Sequence, residues 1–339
     1  MRQYRFLSVN LAVSGSDALL HAIHARLRYF PSAEGAPDMR FEYLTRAQGA
    51  AHGVSRPRGP CRRLSAKADT GLSVEYFPEG DQLYMSCGER AVALCDVGEA
   101  RVAISVAQPE AENLWIATHP IFVIALFELL KRRGYFNVHA AAVCLGRQTL
   151  LFAGHSTAGK STLAVSLCRA GFGFMSDDYV FLKSHPRGMT ILGFPEELDL
   201  LDSTAAMFPE LHAVPSLEKR RGWSKRQVRV EDYWDVPMVS EGEPAILMFP
   251  SVAGSRTSTI EPMAAQDAIA QLVGNVQYTQ PSLAQAHLDL LGDLVRTSAC
   301  FRLNTGRDLD VLPDRLRELV GMHRLTPSEI VSTARAFFP

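Results

Sequence analysis

Nine residues constrain this chain more than any others: Gly154-His155-Ser156-Thr157-Ala158-Gly159-Lys160-Ser161-Thr162. They fit the pattern G-x-x-x-x-G-K-S/T without a mismatch. The run follows an apolar, strand-like stretch at 148–153 and opens a helical run at 161–170, closed by Gly171. Strand, glycine loop and helix in that order are the context that gives the pattern its meaning. Glycines let the backbone curl so that successive N–H groups point inward. Together with the helix N-terminus, those donors cradle phosphate oxygens. In such a cradle Lys160 reaches the β- and γ-phosphates and Ser161 places its hydroxyl on Mg2+. Thr162 caps or packs the helix, and His155 lines the nucleotide pocket or faces solvent. An incidental glycine-rich turn is the bland alternative, and it would have to produce strand, helix, Lys and Ser together.

The neighbourhood of the loop narrows the sheet. A second strand pattern at 138–143 is separated from 148–153 by Cys144-Leu145-Gly146-Arg147 alone, which predicts a hairpin. A doubly wound parallel sheet does not usually set an antiparallel partner before its phosphate loop. The expectation is therefore an α/β protein of the α+β kind with a mixed sheet. A helix at 120–133 precedes this region and ends at Gly134. Downstream, 244–249 and 300–303 read as strands, and 262–273, 282–296 and 313–320 as helices. The tail at 328–338 reads as a helix with Pro327 near its first turn. Residues 1 to 104 read as a smaller β-rich module, with strands at 6–13, 72–77, 82–87 and 101–106 and a helix at 17–28 capped by Ser16. The Gly-, Ala-, Pro- and Arg-rich stretch 47–60 reads as a loop. Three regions result: a β-rich module at 1–104, a nucleotide-binding domain at 105–325 and a helical tail at 326–339.

Sixteen positions after Lys160 begins Ser176-Asp177-Asp178-Tyr179, between two short apolar runs. The helix thus returns to the sheet and delivers two adjacent carboxylates at a strand junction. Neighbours in extended chain point to opposite sides. One carboxylate can hold Mg2+ while the other faces an incoming hydroxyl and accepts its proton. A solvated turn with two acids is the bland alternative. His139, in the adjacent apolar strand, reads either as a satisfied core histidine or as a group that holds or tunes one of the two acids.

Composition removes several function classes. The 339 residues carry 35 Lys+Arg and 36 Asp+Glu, a net charge of −1, which gives no whole-protein grip on nucleic acid or anionic membrane. The longest apolar run, 121–130, is interrupted by Glu128 and followed by Lys131-Arg132-Arg133. It reads as a core helix rather than a bilayer span of roughly 20 residues. The N-terminus lacks a signal-peptide h-region. Six cysteines, none in a CxxC pair or at zinc-ligand spacing with histidine, read as reduced thiols of a cytoplasmic protein.

The run His139-Ala140-Ala141-Ala142-Val143, the glycine loop and Ser176-Asp177-Asp178 together resemble the C-terminal kinase domain of HPr kinase/phosphorylases. They are more similar still to the broader bacterial group of HPr-kinase-related kinases. The motifs cover about 115–185, and element order carries the likeness more loosely to about 320. The resemblance implies an ATP-binding fold shared with phosphoenolpyruvate carboxykinases, and Mg-ATP-dependent phosphoryl transfer to a Ser or Thr hydroxyl of a protein or peptide. It implies phosphate and Mg2+ roles for Lys160 and Ser161, the base role for Asp177, the metal role for Asp178 and support of the base for His139. It also allows a homo-oligomer, since HPr kinases form hexamers. Thr157 stands where the family loop often has glycine. The segment after the acidic pair reads Leu192-Gly193-Phe194-Pro195-Glu196-Glu197-Leu198, not the Arg-Gly-Leu-Gly-Ile signature of HPr kinase/phosphorylases. HPr itself as acceptor, and reverse phosphorolysis, therefore do not follow. Some relatives phosphorylate precursor peptides, and others accompany polysaccharide or surface-protein systems.

One basic segment remains, Lys219-Arg220-Arg221-Gly222-Trp223-Ser224-Lys225-Arg226-Gln227-Val228-Arg229. It reads as a solvated loop, as a loop that closes on the γ-phosphate with Lys225 and Arg226 as the cations, or as a docking site for an acidic peptide or leader. Two further functions share the same machinery. One is a small-metabolite kinase, and the other is a nucleotide-gated binding protein without turnover.

Overall fold

The computed structural model describes residues 1–56, 59–67, 72–108, 110–220, 223–277 and 281–321. The helical tail expected at 328–338 lies outside them. Two compact units divide the chain: Met1–Arg133 with Lys219–Trp223, and Gly134–Glu218 with Ser224–Pro339.

Among the described residues, the first unit builds one eight-stranded mixed sheet. Its strands are β1 (Arg2–Phe6), β2 (Val9–Ser14), β3 (Met39–Leu44), β4 (Arg62–Lys67), β5 (Leu72–Glu79), β6 (Gln82–Cys87), β7 (Ala91–Asp96) and β8 (Arg101–Val106). They lie in the order β1-β2-β3-β8-β7-β6-β5-β4, and β3 runs parallel to both β2 and β8. The stretch 6–13 is a hairpin, not one strand, because Leu7 adopts a left-handed φ of 55° and the chain reverses there. Helix α1 (Asp17–Leu27) buries Leu19, Leu20, Ile23 and Leu27. Ser16 is extended at its N-cap, but the hydroxyl makes no capping bond. Part of the expected loop at 47–60 is a short helix, α2 (Arg46–Ala51). Thr45 and Gln48 form a reciprocal capping box that satisfies its first amides.

The long helix of this unit is α3 (Ala111–Ile116), a widened π turn (Ala117–Ile121) and α4 (Phe122–Lys131) in succession. Pro120 has no N–H to offer the helical ladder, and the wider turn accommodates it. Phe122 packs on Phe41 of β3 with ring centroids 4.8 Å apart, and the Tyr43 hydroxyl donates to the Ala117 carbonyl at 3.4 Å. These contacts move the boundary expected after 104 to Arg133: the helix completes the first unit's core. Glu112–Lys131 is long and apolar enough by composition to cross a membrane, and 83% of its apolar window is buried inside the protein. The six cysteines are free thiols, and all but Cys61 are buried.

The second unit positions the glycine loop. Its strands are β9 (Phe136–Leu145), β10 (Gln148–Ala153), β11 (Gly173–Ser176), β12 (Tyr179–His185), β13 (Gly188–Gly193), β14 (Leu198–Leu200), β15 (Ser216–Arg220), β16 (Trp223–Val228), β17 (Glu241–Val252), β18 (Thr259–Pro262) and β19 (Ala299–Thr305), of which β15 and β16 include residues 219–220 and 223 that group with the first unit. Its helices are α5 (Lys160–Arg169), α6 (Asp202–Ala205), α7 (Ala265–Val273), α8 (Ala284–Thr297) and α9 (Leu312–Gly321). The main sheet is mixed, ordered β10-β9-β12-β13-β17-β19-β18, with β11 beside β9. β9 and β10 form the expected antiparallel hairpin, and β10 runs parallel to β17 on its other side. Strand alternation sends Leu150 and Phe152 to one core with Leu163, Leu167, Leu316 and Leu319. Leu151 and Ala153 go to the other with Leu272, Leu290, Leu291 and Leu294. The loop strand is thus clamped on both faces, which holds the loop that leaves its C-terminal end.

Candidate functional site

The loop leaves β10 at Gly154 and enters α5 at Lys160. Thr157 and Gly159 take left-handed φ values of 71° and 94°, on either side of Ala158. Alternating the backbone hand in this way turns successive N–H groups toward one side, the geometry of an anion-binding nest. A Cβ at Gly159 would meet Val252 Cγ2 at an ordinary 3.5 Å. Glycine is required there by its φ, not by crowding. Thr157 meets the same demand with a β-branched side chain, which costs roughly 1–2 kcal/mol. The departure from glycine noted in the sequence is therefore a strained residue at the crest of the loop.

Lys160 is the first residue of α5 and is buried. Its ammonium donates to the Gly154 carbonyl at 2.8 Å and the His155 carbonyl at 3.0 Å. Burial pushes its pKa below the ordinary lysine range, and Asp178 and Asp177 pull the other way. Ser161, one residue on, donates from Oγ to Asp177 Oδ2 at 2.9 Å. Thr162 Oγ1 lies 3.1 Å from Thr204 Oγ1 and ties α5 to α6. Ala158 is buried, whereas His155, Ser156 and Thr157 are exposed, and the His155 ring folds onto the Ser156 carbonyl at 2.6 Å.

The acidic pair stands at the end of β11, where the Ser176 hydroxyl lies 2.5 Å from the Tyr179 carbonyl and 2.9 Å from that of Phe194. That local knot sets the turn. Asp177 faces the loop and is buried, and Asp178 is half-buried. The His139 ring packs at 5.4 Å on Tyr179, its register partner across the β9–β12 ladder. Its Nδ1 lies 2.8 Å from the Asp178 carbonyl oxygen. A carbonyl only accepts, so Nδ1 carries the proton, and Nε2 is the acceptor nitrogen in the neutral ring. The structure thus brings Lys160, Ser161, Asp177, Asp178 and His139 into one neighbourhood.

It does not bring Lys225 and Arg226 there as a pair. Both lie on β16, where neighbouring side chains point to opposite faces. The Arg226 guanidinium bonds Asp202 Oδ1 at 2.8 Å and the carbonyls of Leu211, His212 and Val214 at 3.2, 2.9 and 2.8 Å. It staples the 211–214 turn to the strand, and its bond to Asp202 holds that carboxyl below the usual range.

One residue of the site has no signal in the sequence. Asn275, just beyond α7, accepts from the Gly154 amide through Oδ1 at 3.2 Å and donates through Nδ2 to Gln271 O at 2.8 Å. Its own carbonyl accepts from the His139 amide at 2.8 Å. In the sequence it reads as an ordinary helix C-terminal Asn.

Fold and loop together define a mixed α/β protein with a glycine loop at the end of a clamped strand. No family model matches the chain, and no curated protein does. Among solved structures it is similar to the Hpr(Ser) kinase/phosphatase from Coxiella burnetii. That match has 15% identity and a TM-score of 0.22, and spans 46% of this chain and 93% of the other. This is weak, fold-level similarity.

Proposed function

We propose that the protein is a Mg-ATP-dependent kinase that transfers the γ-phosphoryl group to a Ser or Thr hydroxyl of a protein or peptide. The observation that carries this reading is the hydrogen bond from Ser161 to Asp177 beside a buried Lys160 that rests on loop carbonyls. The loop amides and Lys160 hold the triphosphate, with Lys160 exchanging neutral carbonyls for anionic oxygens. Among the described residues, no group of three or more His, Cys, Asp or Glu side chains is gathered to hold a metal ion. Mg2+ does not need one: it takes one or two protein oxygens and completes its shell with phosphates and water. The oxygen pair Ser161 and Asp177 suits it, and when bound it supplies charge neutralisation on the phosphates. The acceptor class rests on the resemblance carried by His139-Ala140-Ala141, the loop and the Asp pair.

The Ser161–Asp177 bond favours a split opposite to the one the resemblance implies. Asp177 holds the metal side with Ser161, and Asp178 takes the proton from the acceptor hydroxyl as its oxygen bonds to the γ-phosphorus and ADP leaves. His139 braces Asp178 through its main chain.

The test is Mg2+-dependent transfer of label from γ-labelled ATP into a lysate of the source cells, with wild type, Asp177→Asn and Asp178→Asn side by side. A labelled band or peptide with wild type is expected. Asp178→Asn should abolish it with nucleotide binding nearly intact, and Asp177→Asn should weaken Mg2+-dependent binding itself. The reverse pattern restores the other split. Tight ATP binding without macromolecular label overturns the protein-kinase reading.

A further inference from the structure

The phosphate loop is anchored at its entry by a side chain 121 residues away in sequence. Gly154 is the hinge between β10 and the loop, and its N–H is held by the Asn275 carboxamide. The same Asn275 binds the His139 amide through its main chain and Gln271, in α7, through its Nδ2. The residue is buried, 9% exposed, so these bonds are shielded from competing water. Gly154 also offers its carbonyl to Lys160, so the peptide that Asn275 orients is next to the one on which the lysine rests. A short amide with a donor and an acceptor in fixed geometry suits this position, because Gly154 needs an acceptor and Gln271 needs a donor.

We propose that Asn275 is a positioning residue of the phosphate loop, which fixes the loop's entry peptide to the strand bearing His139 and so sets the cradle for nucleotide phosphates. This rests on the reading of 154–162 as a phosphate loop. Asn275 does not touch phosphate. Its effect on affinity runs through the orientation of Gly154 and the lysine rest beside it.

The test uses the full chain and a fluorescent Mg-ATP analogue, with wild type, Lys160→Ala, Asn275→Ala and Asn275→Asp, and thermal melts of each without nucleotide. Asn275→Ala should weaken binding by about tenfold, the size of one lost buried hydrogen bond. Asn275→Asp is the sharper variant. As a carboxylate, at about pH 8, it has no donor for Gln271 and carries a charge beside the loop. As a neutral acid, which a lower pH of about 5.5 favours, it reproduces the shape and both bonds. The affinity ratio of wild type to Asn275→Asp should therefore be about tenfold at the higher pH and within about threefold at the lower. Lys160, His139, His155, Asp177 and Asp178 are common to both proteins, so the ratio reads the group at position 275 and its coupling to them. A role in stability alone moves the melts and leaves this pH-dependent ratio flat, which overturns the proposal. Asn275 variants that bind as wild type while Lys160→Ala does not overturn this inference alone. Wild type that fails to bind, or Lys160→Ala that binds equally well, overturns the phosphate-loop reading and this inference with it.

Discussion

Glu128 in the first unit and Lys160 in the second are both buried charges on helices, yet their surroundings differ in kind. Glu128 is fully buried, and cations from its own helix meet its two oxygens: Lys131 Nζ at 3.0 Å and Arg132 Nη1 at 3.3 Å. Lys160 lies against two neutral carbonyls of its loop, and the hydroxyl of the adjacent Ser161 donates to Asp177. The first is a closed ion cluster that holds a helix in a core. The second is a cation with replaceable partners at the end of a strand. A buried charge that already has an ionic partner marks structure. Under the proposed function, a buried charge resting on neutral oxygens is one whose partners an anion replaces.

That contrast is broken most severely by Glu128→Ala. The buried Lys131 and the half-buried Arg132 would lose the carboxylate between them, and unfolding free energy should fall by about 3–5 kcal/mol in urea titrations. Nucleotide affinity of the folded protein should be unchanged. A cost below about 1 kcal/mol would mean that water reaches the cluster and that it is not closed. Lys160→Ala should do the opposite. Nucleotide affinity should drop about a hundredfold, while stability without nucleotide stays within about 1 kcal/mol of wild type, since the cost of burying the ammonium outweighs the pull of Asp178 and Asp177. Equal ATP affinity in an equilibrium titration would remove the loop from the site.

A smaller effect sharpens the comparison at the loop itself. Thr157→Gly relieves the left-handed strain and adds freedom to the unfolded chain, so the net gain should be about 0.5–1 kcal/mol in calorimetry. A loss instead would show that the threonine side chain holds the crest. The smallest effect belongs to Asp308, which lies between the two extremes. Burial alone would raise its pKa, but the Ser258 hydroxyl and amide, its own backbone and Arg315 outweigh this and hold it below the usual range. Its contribution is then fully present above the ordinary carboxylate pKa and lost as pH falls through the lowered folded value. The stability difference between wild type and Asp308→Asn, under about 1 kcal/mol at about pH 5, should shrink steadily as the pH is lowered below the ordinary carboxylate range. A difference that persists there would show that the bonds do not depend on the charge.

Much of the site is local, and local chemistry is legible in a sequence. The glycine loop, the hairpin before it and the acid-bearing turn after α5 each depend on residues within a few positions of one another. Four residues separate the two strand patterns in the sequence, and β9 pairs with β10 as expected, with pairing extended through Cys144 and Leu145 so that Gly146-Arg147 alone make the turn. The missed elements fail for equally local reasons. Leu7 breaks 6–13 with a left-handed turn that leucine rarely adopts, and the Thr45–Gln48 capping box creates a helix where composition suggests a loop.

The chain by itself determined that a glycine loop follows an apolar strand and that two acids return beside it, because strand, turn and helix signals act over short range. Tertiary structure alone decided which acid meets Ser161, that Arg226 staples a turn, that the 111–131 helix belongs to the first unit and that Asn275 holds Gly154. Those four outcomes depend on which distant segments the two cores bring together. A carboxamide or guanidinium has no preference for one backbone carbonyl or amide over another until packing has placed one within 3 Å and excluded the water that would otherwise compete for it.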